Sequence, residues 1–192
     1  MKLETIERTF GMRYPKAFRE IYEAGAMGWL CGEPQDKSHL FPNKLLEEEY
    51  YPYWNLCDFP DVEQSIGYLK KYIQESGGRW KEDVQVLPLA WQDEGYAFFF
   101  NAALGEENSS VFALTVDGDT ARFSRSFENF ICARLTESVL NRGMLPDHWW
   151  IQNQLQWLTP DHQAALTSGD PNVLENLLSQ TDCWERTDYV SY

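Results

Sequence analysis

The groups in this chain best equipped for chemistry are carboxylates gathered in three places: Glu47-Glu48-Glu49, Asp93-Glu94 and Glu106-Glu107. Paired carboxylates perform general acid–base work when they converge on one reacting atom. Asp93 and Glu94 are direct neighbours in an extended stretch, and neighbours on a strand point to opposite faces, so they do not obviously converge. Asp117-Gly118-Asp119 begins like a calcium loop, but the downstream glycine and the bidentate glutamate are missing. The three histidines, His39, His148 and His162, have no Cys, His or carboxylate at ligand spacing. His148 lies beside Trp149 and Trp150, a setting of packing rather than catalysis. The chain carries no GxSxG, HExxH, P-loop or GxGxxG motif. No catalytic residue, metal ligand or cofactor-binding residue is assigned.

What the acidic groups offer instead is a surface for Lys and Arg side chains. A nuclease must present such side chains to its substrate phosphates. A protein that covers that surface uses negative charge to do so. On this reading Glu47, Glu48, Glu49, Asp93, Glu94, Glu106 and Glu107 are the expected partner-binding residues. The whole composition points the same way. Thirty acidic residues against sixteen basic ones give a net charge of −14. A field of that sign repels nucleic acids and anionic membrane surfaces and speeds association with a basic protein.

The elements that must position these groups can be read from the apolar pattern. The chain has 192 residues, 43% of them hydrophobic and 15% aromatic, enough for one core and too apolar for general disorder. Leu3, Ile6 and Phe10 recur at helical spacing up to Gly11, and Pro15 opens a second helix carrying Phe18, Ile21 and Tyr22. Residues 29–53 give loop signals and no clean period. A third helix is expected from Asp58 and Pro60 to Gly77-Gly78, with Val62, Ile66, Leu69 and Ile73 on one face. Residues 84–91, 95–102, 111–116 and 120–124 read as strands, with Pro88 marking an edge or a bulge. Asp117-Gly118 predicts a type I′ hairpin turn. The connections are too short for crossovers, so this meander of about four strands is antiparallel. Ser126 caps a helix lined by Phe127, Phe130, Ile131, Leu135 and Val139. Thr159-Pro160 and Asp170-Pro171 open two short helices, and the last ten residues are expected to fray.

The expected architecture is α+β: a mainly antiparallel central sheet flanked by helices, over residues 1–143. Residues 144–192 form a C-terminal helical extension packed on it, too short for a core of its own.

Cys31, Cys57, Cys132 and Cys183 are far apart and form no CxxC, so all four are expected to be reduced. The N-terminus is not a signal peptide, and the longest apolar run, Tyr96 to Phe100, is far too short to span a bilayer. A cytoplasmic location is expected, where the sequon Asn108-Ser109-Ser110 would be silent.

Several short segments resemble one family. They are Tyr14-Pro15-Lys16-Ala17-Phe18, Gly25-Ala26-Met27-Gly28, Val86-Leu87-Pro88-Leu89-Ala90, Asp93-Glu94-Gly95-Tyr96-Ala97-Phe98, Val111-Phe112-Ala113-Leu114 and Ser126-Phe127-Glu128-Asn129-Phe130-Ile131. The pattern is similar to the SUKH superfamily over roughly residues 1–140. Tyr14-Pro15 and Gly25-Ala26-Met27-Gly28 stand where the family often has Leu-Pro and Asn-Gly-Gly. The resemblance implies an α+β fold with a mainly antiparallel sheet. It also implies an immunity protein that binds and neutralises a toxin domain, often a nuclease; a fungal branch regulates cell-wall assembly. The segment from Thr159 to Leu178 is similar to a single ankyrin repeat, and one copy cannot bury its own apolar face. The function expected is therefore non-catalytic binding of a basic protein partner. The alternatives are a carboxylate-dependent hydrolase and an intracellular scaffold.

Overall fold

A computed structural model describes residues 3–24, 54–56, 69–71, 73–92, 96–115 and 117–192. The fold is α+β. Helices α1 (Leu3–Phe10) and α2 (Lys16–Glu23) come first. Strands β1 (Trp54–Leu56), β2 (Arg79–Trp80), β3 (Val86–Gln92), β4 (Tyr96–Asn101), β5 (Val111–Leu114) and β6 (Thr120–Ser124) follow. Then come α3 (Phe127–Arg142), α4 (Trp149–Gln154), α5 (Pro160–Ser168), α6 (Pro171–Thr181), β7 (Glu185–Thr187) and β8 (Val190–Ser191).

The main sheet runs β1-β3-β4-β5-β6-β7, every neighbouring pair antiparallel. The expected meander is β3 to β6. The ladder between β3 and β4 shifts register between Pro88 and Ala90, so Pro88 marks a bulge, and β1 pairs with β3 only beyond it, at Ala90 to Gln92. β2 and β8 form a second, two-stranded ribbon.

Alternation along the strands gives the sheet two buried faces. Leu87, Leu89, Phe98, Phe100, Val111 and Ala113 meet the helices. Phe18 lies 5.5 Å from Phe100, and Phe98 lies 5.1 Å from Phe130, both edge to face. On the other face Val86, Ala97, Phe99, Phe112 and Leu114 form a separate cluster. Its cover is Leu69 and Ile73, from helical residues 69–71 and 73–75, together with Trp80, Tyr189 and Val190.

Two expectations are corrected. The hairpin after β5 is not a type I′ turn: among the described residues no non-glycine has positive φ, so of Asp117 and Gly118 only Gly118 has it, at 83°. Gly118 N–H donates to the Thr115 carbonyl and Thr115 N–H to the Asp119 carbonyl. This is a turn followed by a glycine in the left-handed region, the arrangement of a longer hairpin loop. The final residues do not fray. β7 extends the main sheet, and β8 pairs with β2 as Arg79↔Ser191 and Trp80↔Val190. The segment after residue 143 thus contributes to both cores.

Local signals place α3. The Ser126 hydroxyl accepts from Asn129 N–H at 3.1 Å, and Gly143 ends the helix at φ 65°. Ser126→Ala should cost about 1 kcal/mol in urea denaturation, as for other lost N-caps. A change within experimental error would show that the tertiary packing of Phe127 and Phe130 alone fixes this helix start.

Candidate partner-binding surface

Of the acidic residues singled out in the sequence, Glu47, Glu48, Glu49, Asp93 and Glu94 lie outside the described residues. Glu106 and Glu107 lie in the connection from β4 to β5, at the end of the sheet where β3 begins. Their roles separate. Glu106 receives Arg13 on one oxygen and Arg19 on the other, each at 3.1 Å. Its carbonyl also accepts from Lys16 N–H at 2.8 Å. Arg19 reaches the buried Glu7 as well, and Glu7 accepts from Tyr14 N–H at 2.9 Å. Glu106 therefore fastens the N-terminal helix pair to the sheet. Glu107 is exposed and forms no ion pair among the described residues. Glu106→Gln should lower stability by less than ~1 kcal/mol, because the pairs are half exposed. It should also increase protease cleavage within residues 3–24, which limited proteolysis would detect.

Arg13, Arg19, Lys71, Lys81, Arg122, Arg125, Arg134 and Arg186 are each matched to a carboxylate of this chain. Glu20, Glu82, Asp83, Glu107, Asp117, Asp147, Asp161 and Glu175 are exposed and form no ion pair among the described residues. Arg8, Lys16, Lys70 and Arg79 are exposed cations with no carboxylate partner there. Among the described residues internal pairing thus takes up eight cations and leaves exposed carboxylates without an ion pair. Glu82-Asp83 and Glu107 share one end of the sheet, and Asp117 lies at the other. Long stretches are one-sided in sequence: residues 143–185 contain no Lys or Arg but hold Asp147, Asp161, Asp170, Glu175, Asp182 and Glu185, and residues 82–121 contain none but hold Glu82, Asp83, Asp93, Glu94, Glu106, Glu107, Asp117 and Asp119. Both runs were readable in the sequence.

Two ionic arrangements fix the return of the chain from α6 to β7. Arg134, only 5% exposed, donates to Asp182 at 2.7 Å and pairs with Glu137 at 2.9 Å. Its guanidinium carbon lies 4.8 Å from the Phe123 ring centre and 5.5 Å from that of Phe130. Burial pushes the Asp182 carboxyl above its ordinary value, and Arg134 opposes that shift. A few residues on, hydrogen bonds from Arg122 and then Arg125 hold Glu185 below the usual carboxylate range.

A cleft of about 430 Å³ opens beside β7, lined by Asp119, Thr120, Arg186, Thr187, Asp188 and Tyr192 among others. Its charged groups pair with cations or anions of the chain itself: Asp119 with Arg186 at 2.6 Å, and Asp188 with Lys81. The Thr187 hydroxyl donates to the Thr120 hydroxyl at 2.8 Å. No histidine or cysteine lines it. His162 is held elsewhere, its Nδ1 3.0 Å from Glu128 Oε1, which also accepts from Thr159 N–H at 2.8 Å. That links the start of α5 to α3. Cys132 and Cys183 are free thiols, and burial pushes Cys132 up to about 12. Among the described residues no cluster of three or more His, Cys, Asp or Glu side chains is arranged to hold a metal. Among them, too, no helix is long and apolar enough to cross a membrane.

With this geometry in hand, the chain was compared with protein-family models, curated proteins and solved structures, and none of them matches.

Proposed function

We propose that this chain is a non-catalytic protein-binding domain that captures a basic partner, and that its role is that of an immunity protein against a toxin domain. The observation that supports it most is the surface balance: among the described residues eight cations pair with the chain's own carboxylates, and exposed carboxylates are left without an ion pair. Such a surface raises the encounter rate with a positively charged protein and disfavours nucleic acids. The resemblance of residues 1–140 to the SUKH superfamily supplies the kind of partner. A cytoplasmic site of action follows from the same reading.

The experiment is co-expression with candidate toxin domains encoded in neighbouring reading frames. The chain should restore growth against one of them and form a stable complex with it. Association should slow steeply with salt, because the Debye length falls from ~10 Å at 0.1 M to ~3 Å at 1 M. Dissociation should change little, since buried apolar contacts hold the bound state. Growth rescue without any complex, or an association rate indifferent to salt, would refute the reading.

A further inference from the structure

The helical extension buries one polar side chain that the chain itself does not satisfy. Gln154 closes α4, with Ile151 three residues before it and Leu158 four after, both in the core that lies against the sheet. That spacing carries Gln154 onto the same face, and it is fully buried. The other glutamines nearby behave differently. Gln152 donates to the Pro146 carbonyl at 2.9 Å, Gln156 to the Asn153 carbonyl at 3.0 Å and Gln163 to the Leu158 carbonyl at 2.8 Å. Both amide atoms of Gln154 are buried without a hydrogen-bond partner. So is Trp157 Nε1, an indole N–H that can only donate. Among the described residues seven buried side-chain atoms stand this way, and three of them belong to these two residues.

Local geometry puts the two side chains on one side. Leu155–Trp157 form a 3-10 turn directly after Gln154, and side chains three residues apart in such a turn eclipse. Gln154 and Trp157 have that spacing. Buried polar groups are rarely left unpaired, because nothing then offsets their lost hydration. Donors and an acceptor in a closed site require a guest that both accepts and donates. Gln154 leaves no accessible surface, so the guest is of water size.

We propose that Gln154 and Trp157 form an internal water site, in which an ordered water accepts from the Trp157 indole and hydrogen-bonds the Gln154 amide. The site stands at the start of the bridge from α4 to α5. Two residues past Trp157, the Thr159 N–H donates to Glu128 of α3 at 2.8 Å. The water thus supports the turn through which the extension engages α3. It is a structural ligand of the core, and it does not depend on the basic-partner reading.

The test uses the full chain labelled with nitrogen-15. The Gln154 side-chain amide and the Trp157 indole should each show a cross-peak to water, with the sign that marks a long-lived bound molecule. Gln154→Met keeps a similar length and removes both polar atoms. It should lower the melting temperature by roughly 3 °C, because the water and the indole lose a partner. Trp157→Phe should lower it too. The double variant should lose clearly less than the sum of the two, since no polar group of the site then remains unpaired. The cross-peaks need no variant, so the site is testable even where a substitution fails to fold. Absence of the cross-peak from either group would overturn the proposal. A higher melting temperature for Gln154→Met would overturn it as well, since removing a dry amide from the core stabilises. Strictly additive losses would show that the two residues share no water.

Discussion

Arg134→Ala is expected to cost roughly 3 kcal/mol at neutral pH and clearly less at pH about 4. Arg134 is buried on α3 and is the partner of Asp182, which closes α6. Removing it leaves a carboxylate in a site that already penalises its charge. Breaking a buried pair from one side costs more than the pair is worth, because the survivor has lost its compensation. The pH dependence follows from the sign of the shift. A carboxyl whose folded value is raised contributes stability fully present below its unfolded value, lost as pH rises through the folded value. In the native chain Arg134 opposes that loss. In the variant nothing does, so Asp182 stays protonated to a higher pH and the deficit relative to the native chain shrinks on acidification. Glu137 loses a partner too, but it is more exposed and should contribute little. Urea denaturation of both proteins at the two pH values measures this. An equal deficit at both would mean that the lost packing of the Arg134 stem over Phe123 and Phe130, and not the charge of Asp182, sets the cost.

Truncation after Asp182 is expected to lower the melting temperature by roughly 10 °C or more. It removes β7 from the edge of the main sheet and β8 from its pairing with β2. It also uncovers Phe99 and Phe112, which Tyr189 reaches at 6.5 Å and 5.1 Å, and removes the buried Val190. Losing a buried valine is worth about 1.5–3 kcal/mol by itself, and the strand hydrogen bonds add to it. The truncated protein should bind a hydrophobic dye that the full chain ignores. Val190→Ala is the milder companion and should shift the melting temperature in the same direction by a few degrees. If the truncated chain melts like the parent, residues 183–192 do not cover the second core.

These two sites also mark where sequence reading stopped. Elements with local signals were legible: the Ser126 cap, the Thr159-Pro160 and Asp170-Pro171 helix starts, the apolar alternation of β3 to β6, and the irregularity at Pro88. β7 and β8 have no such signal. Glu185-Arg186-Thr187 is polar throughout, and Val190-Ser191 is two residues long. They become strands because β6 and β2 present open edges. Their contacts span 63 residues for Arg122 to Glu185 and 112 for Arg79 to Ser191. Pairing over such distances leaves no trace in local periodicity. The acidic doublet at Glu106-Glu107 was visible as charge, but adjacency could not reveal that one member faces two arginines from α2 and the segment before it. Arg134 offered a usable hint, since it sits one position from Leu135 on the apolar stripe of α3.

The placement of β8 has a consequence for how the chain is made. A ribosome delivers residues 86–114 long before residues 189–191, so the sheet face bearing Phe99 and Phe112 must wait for its last cover. Folding of the helix-covered face can proceed meanwhile, since α3 and α6 both precede that segment. The nascent chain therefore passes through a stage with one finished core and one exposed aromatic face, the kind of surface on which chaperones act. Closing the ribbon between residues 79 and 191 is also the most distant contact in sequence among the described strand pairs, and such closures are slow.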